Sequence, residues 1–279
     1  MNLYRLMMKR RTVRNYKGKA IPDDIIEKLI NAANNAPSGG NIQPLSIILV
    51  QNIERRKELA KIVGDQPWVK NAPLSMILCI DFYRIKTWAQ MCGTVFKGEN
   101  ALSHFLIAYA DIMCAAQNVV IMAEYFELGS VYIGTIQSNI DEAREYFKIP
   151  KYVLPIIVLS LGYPKSIPKY IPKLKEDVIV HHEEYTVLKD QKIKKAFEDK
   201  YGNFDDNVEK YFERIYIEVV EGDKQRNVSQ VHEAKKRLKT LQIKNTAQFL
   251  FNYKYPSDEM VQMNESIIRS FKNAGFSFF

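Results

Sequence analysis

The chain has 279 residues, of which 47% are hydrophobic and 26% are charged, and this composition is typical of a globular protein with a substantial core. Its formal net charge of +8 would suit an anionic partner, but no stripe interleaves basic and aromatic residues, which disfavours a nucleic-acid-binding protein. The longest apolar runs are too short to span a bilayer, the N terminus lacks the apolar core of a signal peptide, and the three cysteines are widely spaced. We therefore expect a cytoplasmic protein without a membrane partner or a metal site.

The first distinctive feature is a basic segment that follows a short predicted helix. The first 19 residues contain seven Lys or Arg and no Asp or Glu. Within this segment, Arg10, Arg11 and Arg14 flank the hydroxyl group of Thr12. Guanidinium groups pair with phosphate oxygens two at a time, so an ordered cluster of this kind suits a small polyanion. Taken alone, such a run is more often a solvated basic edge.

A second distinctive stretch follows an amphipathic helix predicted over Pro22–Asn35. This stretch, Ala36–Pro44, contains two prolines, two glycines and three short polar side chains. A backbone so sparsely covered allows its amide groups, and the side chains of Asn41 and Gln43, to approach a flat polar ligand closely. The alternative is a plain connection between the helix and the next strand.

Continuous apolar runs predict three strands that are buried on both faces, and a fourth, shorter strand ends at a glycine. The three buried strands are Leu45–Val50, Leu74–Ile80 and Val153–Leu161. The longest predicted helix, Leu102–Leu128, is apolar around most of its circumference, so we expect it to lie inside, at a subunit or layer interface. Strands that alternate with helices predict a three-layer α–β core.

Four residues of these elements have specific expected roles. Tyr83 and Trp88 lie in a predicted helix and are expected to pack in the core, with a pocket lining as the alternative. Asp111, in the longest helix, is expected to be a paired structural carboxylate, because an unpaired buried charge is costly. Gly129 is expected to cap that helix at its C-terminal end.

The last third of the chain is predicted to be mostly helical, with cations and carboxylates in nearly equal numbers, which is typical of a solvated helical surface. Large aromatic residues in Ala247–Tyr255 and Ser266–Phe279 must be buried, so we expect this region to pack on the core or on a partner subunit. His181 and His182 are adjacent on extended chain and point to opposite faces, which disfavours a shared metal ion.

Three stretches in order resemble the nitroreductase family, namely Arg10–Arg14, Ala36–Pro44 and Leu128–Gly134. The branch that the chain resembles most is that of the NADPH-preferring flavin reductases and major oxygen-insensitive nitroreductases. This branch is also matched, in order, by Gly64–Gln66, Leu161–Pro164 and Val180–Glu183.

The resemblance implies an α+β protein with a three-layer α-β-α fold, in which a mixed central sheet surrounds a long buried helix. It implies an FMN-binding domain over residues 1–188 and a helical C-terminal extension over residues 189–279, which packs on the core or on the partner subunit. A homodimer is expected, because members of the family are usually homodimeric and because the longest helix carries many small residues.

The resemblance also implies roles for individual residues toward FMN. Residues that would hold the phosphate and the ribityl chain are Arg10, Arg11 and Thr12. Residues that would meet the ring or the ribityl chain, from the same or the other subunit, are Ser38, Gly39, Asn41 and Gln43. Lys173 falls where the branch has an arginine on the phosphate, whereas Ile171 stands where the branch has a second cation.

Other residues would meet the isoalloxazine ring. By position, Arg14 would lie near the flavin N1–O2 edge and Gln66 would contact the pyrimidine side. Backbone amides would be presented toward N5 and O4 by Ile133, Gly134 and Thr135. No side-chain acid or base is required, because the flavin carries the chemistry.

The implied activity is a ping-pong hydride cycle, in which NADPH or NADH reduces FMN and a nitroaromatic, quinone or flavin acceptor then takes the two electrons. We hypothesise that Lys224 or Arg226 binds the 2′-phosphate of NADPH. Two alternatives stay open, namely a noncatalytic protein that binds or sequesters FMN and a dehalogenase-type member of the same fold.

Overall fold

A computed structural model of the chain describes residues 2–202, 233 and 235–278. These residues form two compact units. The first comprises Met1–Ile167 together with Met263–Phe279, and the second comprises Pro168–Gln262. The division expected at residue 188 stays a prediction.

The first unit is organised around a sheet of four strands in the order β1-β2-β4-β3. Its strands are β1 (Leu45–Val50), β2 (Leu74–Asp81), β3 (Gly129–Ile133) and β4 (Val153–Gly162). All three strand pairs are antiparallel. The α+β class is therefore confirmed, but the paired strands form an antiparallel sheet rather than the expected mixed one. In the described part of the chain, parallel pairing occurs only as an isolated bridge between Thr12 and Ser130.

The position of each strand in the sheet explains how deeply it is buried. The central strands β2 and β4 are buried at every position, as their apolar sequences predict. The expectation that β1 is buried on both faces was wrong, because β1 lies at an edge of the sheet and most of its residues are only partly buried. A continuous apolar run does not distinguish an edge strand from a central one.

In the N-terminal part of the first unit, residues 2–167, seven helices and several single turns surround this sheet. The helices before the long one are α1 (Leu3–Lys9), α2 (Asp23–Asn34), α3 (Ile53–Ile62), α4 (Pro67–Asn71) and α5 (Phe82–Met91). They are followed by α6 (Leu102–Tyr125) and α7 (Ile140–Tyr146). Single 3-10 turns lie at Gly39–Asn41, Gly98–Asn100 and Gly134–Ser138. Side chains cap several of the helices; for example, the Asn2 and Asn52 carboxamides accept hydrogen bonds from the first-turn amides of α1 and α3.

In the second unit, the described residues form helices joined by non-helical segments. Its helices include α8 (Glu176–Ile179), α9 (Asp190–Tyr201) and residues 235–240, followed by Thr246–Gln248, a π-helical turn at Phe249–Lys254, and Ser257–Gln262. The chain then returns to the first unit in a C-terminal helix, Asn264–Asn273. There, Phe276 lies 5.6 Å from Phe82 between ring centroids, and both rings are buried.

Helix α6 is buried along one side only. Its buried residues are Ala108, Ile112, Ala115, Ala116, Val119, Val120 and Ala123. On its other side, Leu106 and Ile107 are 57% and 49% exposed. By length and composition alone α6 could cross a bilayer, but a core helix passes the same test. The expectation that α6 lies inside therefore holds for one face, and the described residues do not cover its exposed apolar face. Its role at a subunit interface stays a prediction.

Gly129 does not cap α6, contrary to expectation. The helix ends at Tyr125, Glu127 adopts the left-handed conformation with φ 60°, and Gly129 opens β3. A side chain at Gly129 would overlap with Val13, which packs directly over it. The glycine is needed for this close approach and not for a turn.

We expect Gly129→Ala to lower the free energy of unfolding by about 1–3 kcal/mol, because the added methyl group would force Val13 and β3 apart. Urea denaturation measures this change. The matched control is Gly18→Ala, where a new Cβ has no neighbour within 4 Å. Equal stability of the two variants would show that the Val13 contact does not constrain the fold.

Candidate functional site

The basic N-terminal segment is fixed along the free edge of β3. Thr12 forms a parallel bridge with Ser130, and the Val13 amide donates to the Ser130 carbonyl at 3.0 Å. Val13 is buried, and the buried Tyr16 hydroxyl donates a hydrogen bond to the Val13 carbonyl at 2.7 Å. Because alternate residues of an extended segment face opposite sides, the burial of Val13 leaves Thr12 and Arg14 on the outer side.

Arg10 and Arg11 lie together where α1 ends. The Arg11 guanidinium donates to the Arg10 carbonyl at 2.8 Å and to the Met8 carbonyl at 3.0 Å. Burial raises the pKa of the Glu124 carboxyl, although the charges of both arginines and a hydrogen bond from the Arg11 amide act in the opposite direction. Burial likewise raises the pKa of Tyr132 to about 12, against the opposing charge of Arg10. The two guanidinium groups thus create a positive region that reaches the last turn of α6.

Arg14 contacts Trp68, which lies two residues after Gln66 in the chain. The Arg14 guanidinium lies 5.5 Å from the centroid of the Trp68 ring, a cation–π contact, and Trp68 follows Gln66 by two residues at the start of α4. The Gln66 amide nitrogen donates to the Thr135 hydroxyl at 2.8 Å. Gly134 and Thr135 are exposed directly after the buried Ile133. The structure therefore brings these predicted residues into one neighbourhood beside β3.

We call this neighbourhood the arginine surface. It consists of Arg10, Arg11, Thr12, Arg14, Gln66, Gly134 and Thr135. Cationic side chains lie toward the start of β3, and amide and hydroxyl groups lie beyond its end. This arrangement offers phosphate-binding groups and hydrogen-bonding groups for a polar ring at two ends of the same strand.

Within the second predicted stretch, Ala36–Pro44, residues Ser38–Gln43 form a tightly held loop that we call the glycine loop. The Gly39 amide donates to both carboxylate oxygens of Asp111, at 3.0 and 3.1 Å. The Gln43 amide donates to the Ser38 hydroxyl at 2.9 Å, and the Arg84 guanidinium donates to the Gln43 carbonyl at 2.8 Å. Asp111 is thus a hydrogen-bonded structural carboxylate.

The backbone of the glycine loop is unusual. Gly40, Asn41 and Gln43 all have positive φ, at 58°, 53° and 52°. Asparagine tolerates this left-handed region better than most residues, but Gln43 pays a conformational cost there that its hydrogen bonds must offset. The anchors described above therefore hold a shape that the isolated segment would not keep.

A cavity of about 140 Å³ lies beside the glycine loop. Its lining includes Asn34, Ser38, Gln43, Arg84, Trp88 and Asp111. The expectation that Tyr83 and Trp88 pack in the core was wrong, since each is 52% exposed. Helix α5 buries the side that carries Phe82 and Ile85 and turns the two other aromatic residues away, so Trp88 lines the cavity, as the alternative foresaw.

Two independent routes show that the glycine loop and the arginine surface lie far apart in one chain. Along α6, Asp111 meets the glycine loop and Glu124 meets the arginines, and 13 residues of helix separate them by about 20 Å. Across the sheet, four strand spacings lie between the Thr12 segment and β1. Along β4, Thr12 aligns through β3 with Leu161, whereas Leu45 aligns through β2 with Leu154. The two displacements together place Leu45 roughly 30 Å from Thr12. The structure therefore does not bring all the predicted FMN-binding residues together.

Other predicted positions lie elsewhere. Lys173 is exposed on extended chain in the second unit, shortly before α8, and Ile171 is exposed on the same segment. Lys224 and Arg226 lie outside the described residues. The His181 Nδ1 atom accepts the Thr186 amide at 3.1 Å. Within residues 2–202 and 235–278, no group of three potential metal ligands is close enough to hold an ion.

Sequence reasoning missed several residues that hold the site in place. Trp68, Glu124 and Arg84 each contact a predicted site residue, but none was singled out. Trp68 could have been found from its position two residues after Gln66. Glu124 and Arg84 gave no local signal, because their partners are 113 and 41 positions away in the chain.

Comparisons with known proteins agree with this architecture. A family model described as the nitroreductase family matches residues 7–163, more than half of the chain. The FMN reductase (NAD(P)H) of Bacillus subtilis is 33% identical over 177 residues, which is 63% of this chain and 71% of the relative. The oxygen-insensitive NADPH nitroreductase of Salmonella typhimurium is 31% identical over 199 residues, 71% of this chain and 80% of the relative. The solved structure of B. megaterium NfrA2 has a TM-score of 0.76 and 26% identity and covers 100% of both chains.

The pKa of Glu124 predicts how stability changes with pH. The pKa of Glu124 is higher in the folded chain than in the unfolded chain. Relative to a charged carboxylate, the protonated carboxyl group therefore adds stability to the fold at any pH below the unfolded pKa. That added stability is lost as the pH rises through the folded pKa. We expect Glu124→Gln, which stays neutral, to raise the melting temperature above that of the wild type at about pH 7, with no difference at about pH 3.

Thermal melts across this pH range, with the exposed Glu142→Gln as control, provide the measurement. If Glu124→Gln were less stable than the wild type at neutral pH, the attraction between Glu124 and the two arginines would outweigh the cost of its burial.

Proposed function

This chain belongs to the nitroreductase family, and we propose that it is an FMN-dependent NAD(P)H oxidoreductase that passes two electrons to nitroaromatic, quinone or flavin acceptors. The names of its relatives, an NAD(P)H-dependent FMN reductase and an NADPH nitroreductase, support this activity. The observation that carries the proposal is the arginine surface, in which cations, amide groups and hydroxyl groups lie along one strand edge.

The residues of the arginine surface fit FMN by their chemistry. Arg10 and Arg11 are partly buried and lie next to each other in the chain, and the charges of both act on the Glu124 carboxyl group. Two adjacent guanidinium groups suit a doubly charged phosphate, because each can donate two hydrogen bonds to phosphate oxygens. Thr12 adds a hydroxyl group beside them, and Lys173 would supply a further cation by its position in the sequence.

At the other end of the surface, the residues suit a polar heterocycle. When bound, FMN supplies the hydride-transfer chemistry. Arg14, held over Trp68 next to Gln66, would place a fixed positive charge near the pyrimidine edge and so favour the reduced cofactor, which carries negative charge there. The exposed backbone at Gly134 and Thr135, with Ile133 before it, would present amide groups to the ring edge.

The proposal includes a homodimer. Ser38, Gly39, Asn41 and Gln43 lie roughly 20–30 Å from the arginines of the same chain, and FMN is too short to bridge that distance. A second copy could bring its glycine loop to the arginine surface of the first. The exposed apolar side of α6 borders this loop, since Ile107 packs against Gly39, and a surface of this kind marks an interface.

Three further parts of the proposal rest on the sequence rather than on the described contacts. Lys224 or Arg226 would bind the 2′-phosphate of NADPH, and residues 189–279 would form a helical C-terminal extension of an FMN-binding domain at 1–188. Free thiols at Cys79, Cys92 and Cys114 favour a cytoplasmic location.

We expect the purified chain to bind FMN and to show a flavin spectrum that NADPH bleaches without oxygen and that a quinone restores. Arg10→Ala combined with Arg11→Ala should weaken FMN binding at least tenfold, because each guanidinium would make a charge-assisted contact with the phosphate. The exposed Lys17→Ala is the control for a lost positive charge.

Absorbance titration with FMN and steady-state NADPH oxidation measure both effects. A chain that takes up no FMN would contradict the proposal. Uptake without turnover in the presence of a quinone and a nitroaromatic would indicate a noncatalytic flavin-binding protein instead.

A further inference from the structure

The buried side chain of Tyr16 links the basic N-terminal segment to the centre of the sheet. Its hydroxyl group donates to the Val13 carbonyl at 2.7 Å and lies 3.0 Å from the Ser160 carbonyl. Tyr16 is only 3% exposed, and Ser160 belongs to β4, one of the two central strands. Phenylalanine would fill the same space, so the hydroxyl group is the distinctive part of this side chain.

The hydroxyl group holds the peptide unit that leads into Arg14. The carbonyl of Val13 and the amide of Arg14 belong to one rigid peptide plane. Within the described part of the chain, no backbone amide donates to this carbonyl, and its donor is the Tyr16 hydroxyl. The Val13 amide in turn donates to the Ser130 carbonyl at 3.0 Å. Both polar backbone groups of Val13 are thus engaged, which sets the direction in which the Arg14 side chain leaves the backbone.

The same region also supports the far end of the Arg14 side chain. Val13, Tyr16 and Ala72 form a small buried cluster, and Trp68 packs against it. The Arg14 guanidinium lies 5.5 Å from the centroid of the Trp68 ring. Arg14 is therefore positioned at its backbone by a hydrogen bond and at its guanidinium by an aromatic surface, and Tyr16 contributes to both.

The Tyr16 hydroxyl remains a donor throughout the pH range in which the protein is studied. Burial raises the pKa of this hydroxyl well above its ordinary value, and the positive charge of Arg14 opposes that effect only in part. The hydrogen bond is thus a permanent support and not a pH-dependent switch.

We propose that Tyr16 is a positioning residue, whose hydroxyl group holds the Val13–Arg14 peptide so that the Arg14 guanidinium is fixed for the flavin N1–O2 edge and raises the reduction potential of bound FMN. This inference rests on the proposed FMN site. The N1–O2 edge is uncharged in oxidised FMN and carries negative charge in the reduced form, so a fixed cation stabilises the reduced form more. A cation that must first be ordered loses part of this effect, because ordering it costs free energy.

The test measures two substitutions singly and together. Tyr16→Phe keeps the ring and removes only the hydroxyl group. We expect it to weaken the binding of reduced FMN about fivefold more than that of oxidised FMN, which makes the midpoint potential about 20 mV more negative. In an Arg14→Ala background, the same substitution should leave the potential unchanged, because no guanidinium is then present to be positioned. Anaerobic titration against redox dyes measures the four potentials.

Ser75→Ala is the matched control for the loss of a buried hydroxyl group. The fully buried Ser75 hydroxyl lies 2.8 Å from the Ser160 hydroxyl, so its hydrogen bond joins β2 to β4 and leaves Val13 untouched. Both Ser75→Ala and Tyr16→Phe should lower the melting temperature by a few degrees, but only Tyr16→Phe should change the potential. Circular dichroism verifies that each variant folds.

The outcomes separate this proposal from the one on which it rests. An unchanged potential in Tyr16→Phe, or an equal change in the Arg14→Ala background, would overturn the role of Tyr16 while FMN binding stands. An equal change in Ser75→Ala would overturn it as well, since any loosening of the core would then have the same effect. A wild-type protein that binds no FMN would instead overturn the proposed function.

A second measurement needs no substitution at Tyr16. In wild-type protein without cofactor, the Arg14 side chain should already be held over the Trp68 ring. The ring current should therefore shift its δ-methylene proton signals upfield from those of the exposed Arg5, which NMR spectra of the assigned protein measure. Coincident signals of the two arginines would show that Arg14 is not positioned in advance and would overturn the proposal.

Discussion

The pairing of Thr12 and Val13 with Ser130 is the constraint on which the rest of the site depends. It adds a short extended segment to the outer edge of the sheet, and it requires Gly129 to leave room for Val13. Because Val13 faces the core, its neighbours face outward, and the arginines are held on a rigid strand edge instead of a mobile tail. The same strand then leads directly to Gly134 and Thr135, so one element sets the spacing between the two ends of the proposed FMN site.

Helix α6 relates the two halves of the predicted site. Its middle holds the glycine loop through Asp111, and its last turn carries Glu124 beside the arginines. These contacts fix each half and at the same time keep the halves apart. A helix cannot shorten, so the separation of about 20 Å is a property of the fold and not of a particular loop conformation. The exposed apolar side of the same helix offers the surface on which a second chain would supply the missing half.

Local pattern predicted the elements well where a single segment determines the answer. The amphipathic α2 and the apolar β2 and β4 lie within a few residues of their expected bounds. Pattern failed where the answer depends on distant neighbours: β1 is an edge strand, and Gly129 is small because of Val13, more than a hundred residues away. Within the site, Gln66 and Thr135 were expected individually, but 69 residues separate them, and no sequence signal predicted their mutual hydrogen bond.

The central claim is that one FMN site uses the arginine surface of one copy and the glycine loop of another. Mixed dimers test it most directly: one differently tagged copy carries Arg10→Ala with Arg11→Ala, and the other carries Ser38→Glu with Asn41→Glu. Each altered chain alone should bind FMN poorly, whereas the purified mixed dimer should regain about half of the wild-type FMN content, because one of its two sites then combines two unaltered halves. If the mixed dimer binds no more FMN than either parent, both halves act within a single chain, and the account is contradicted.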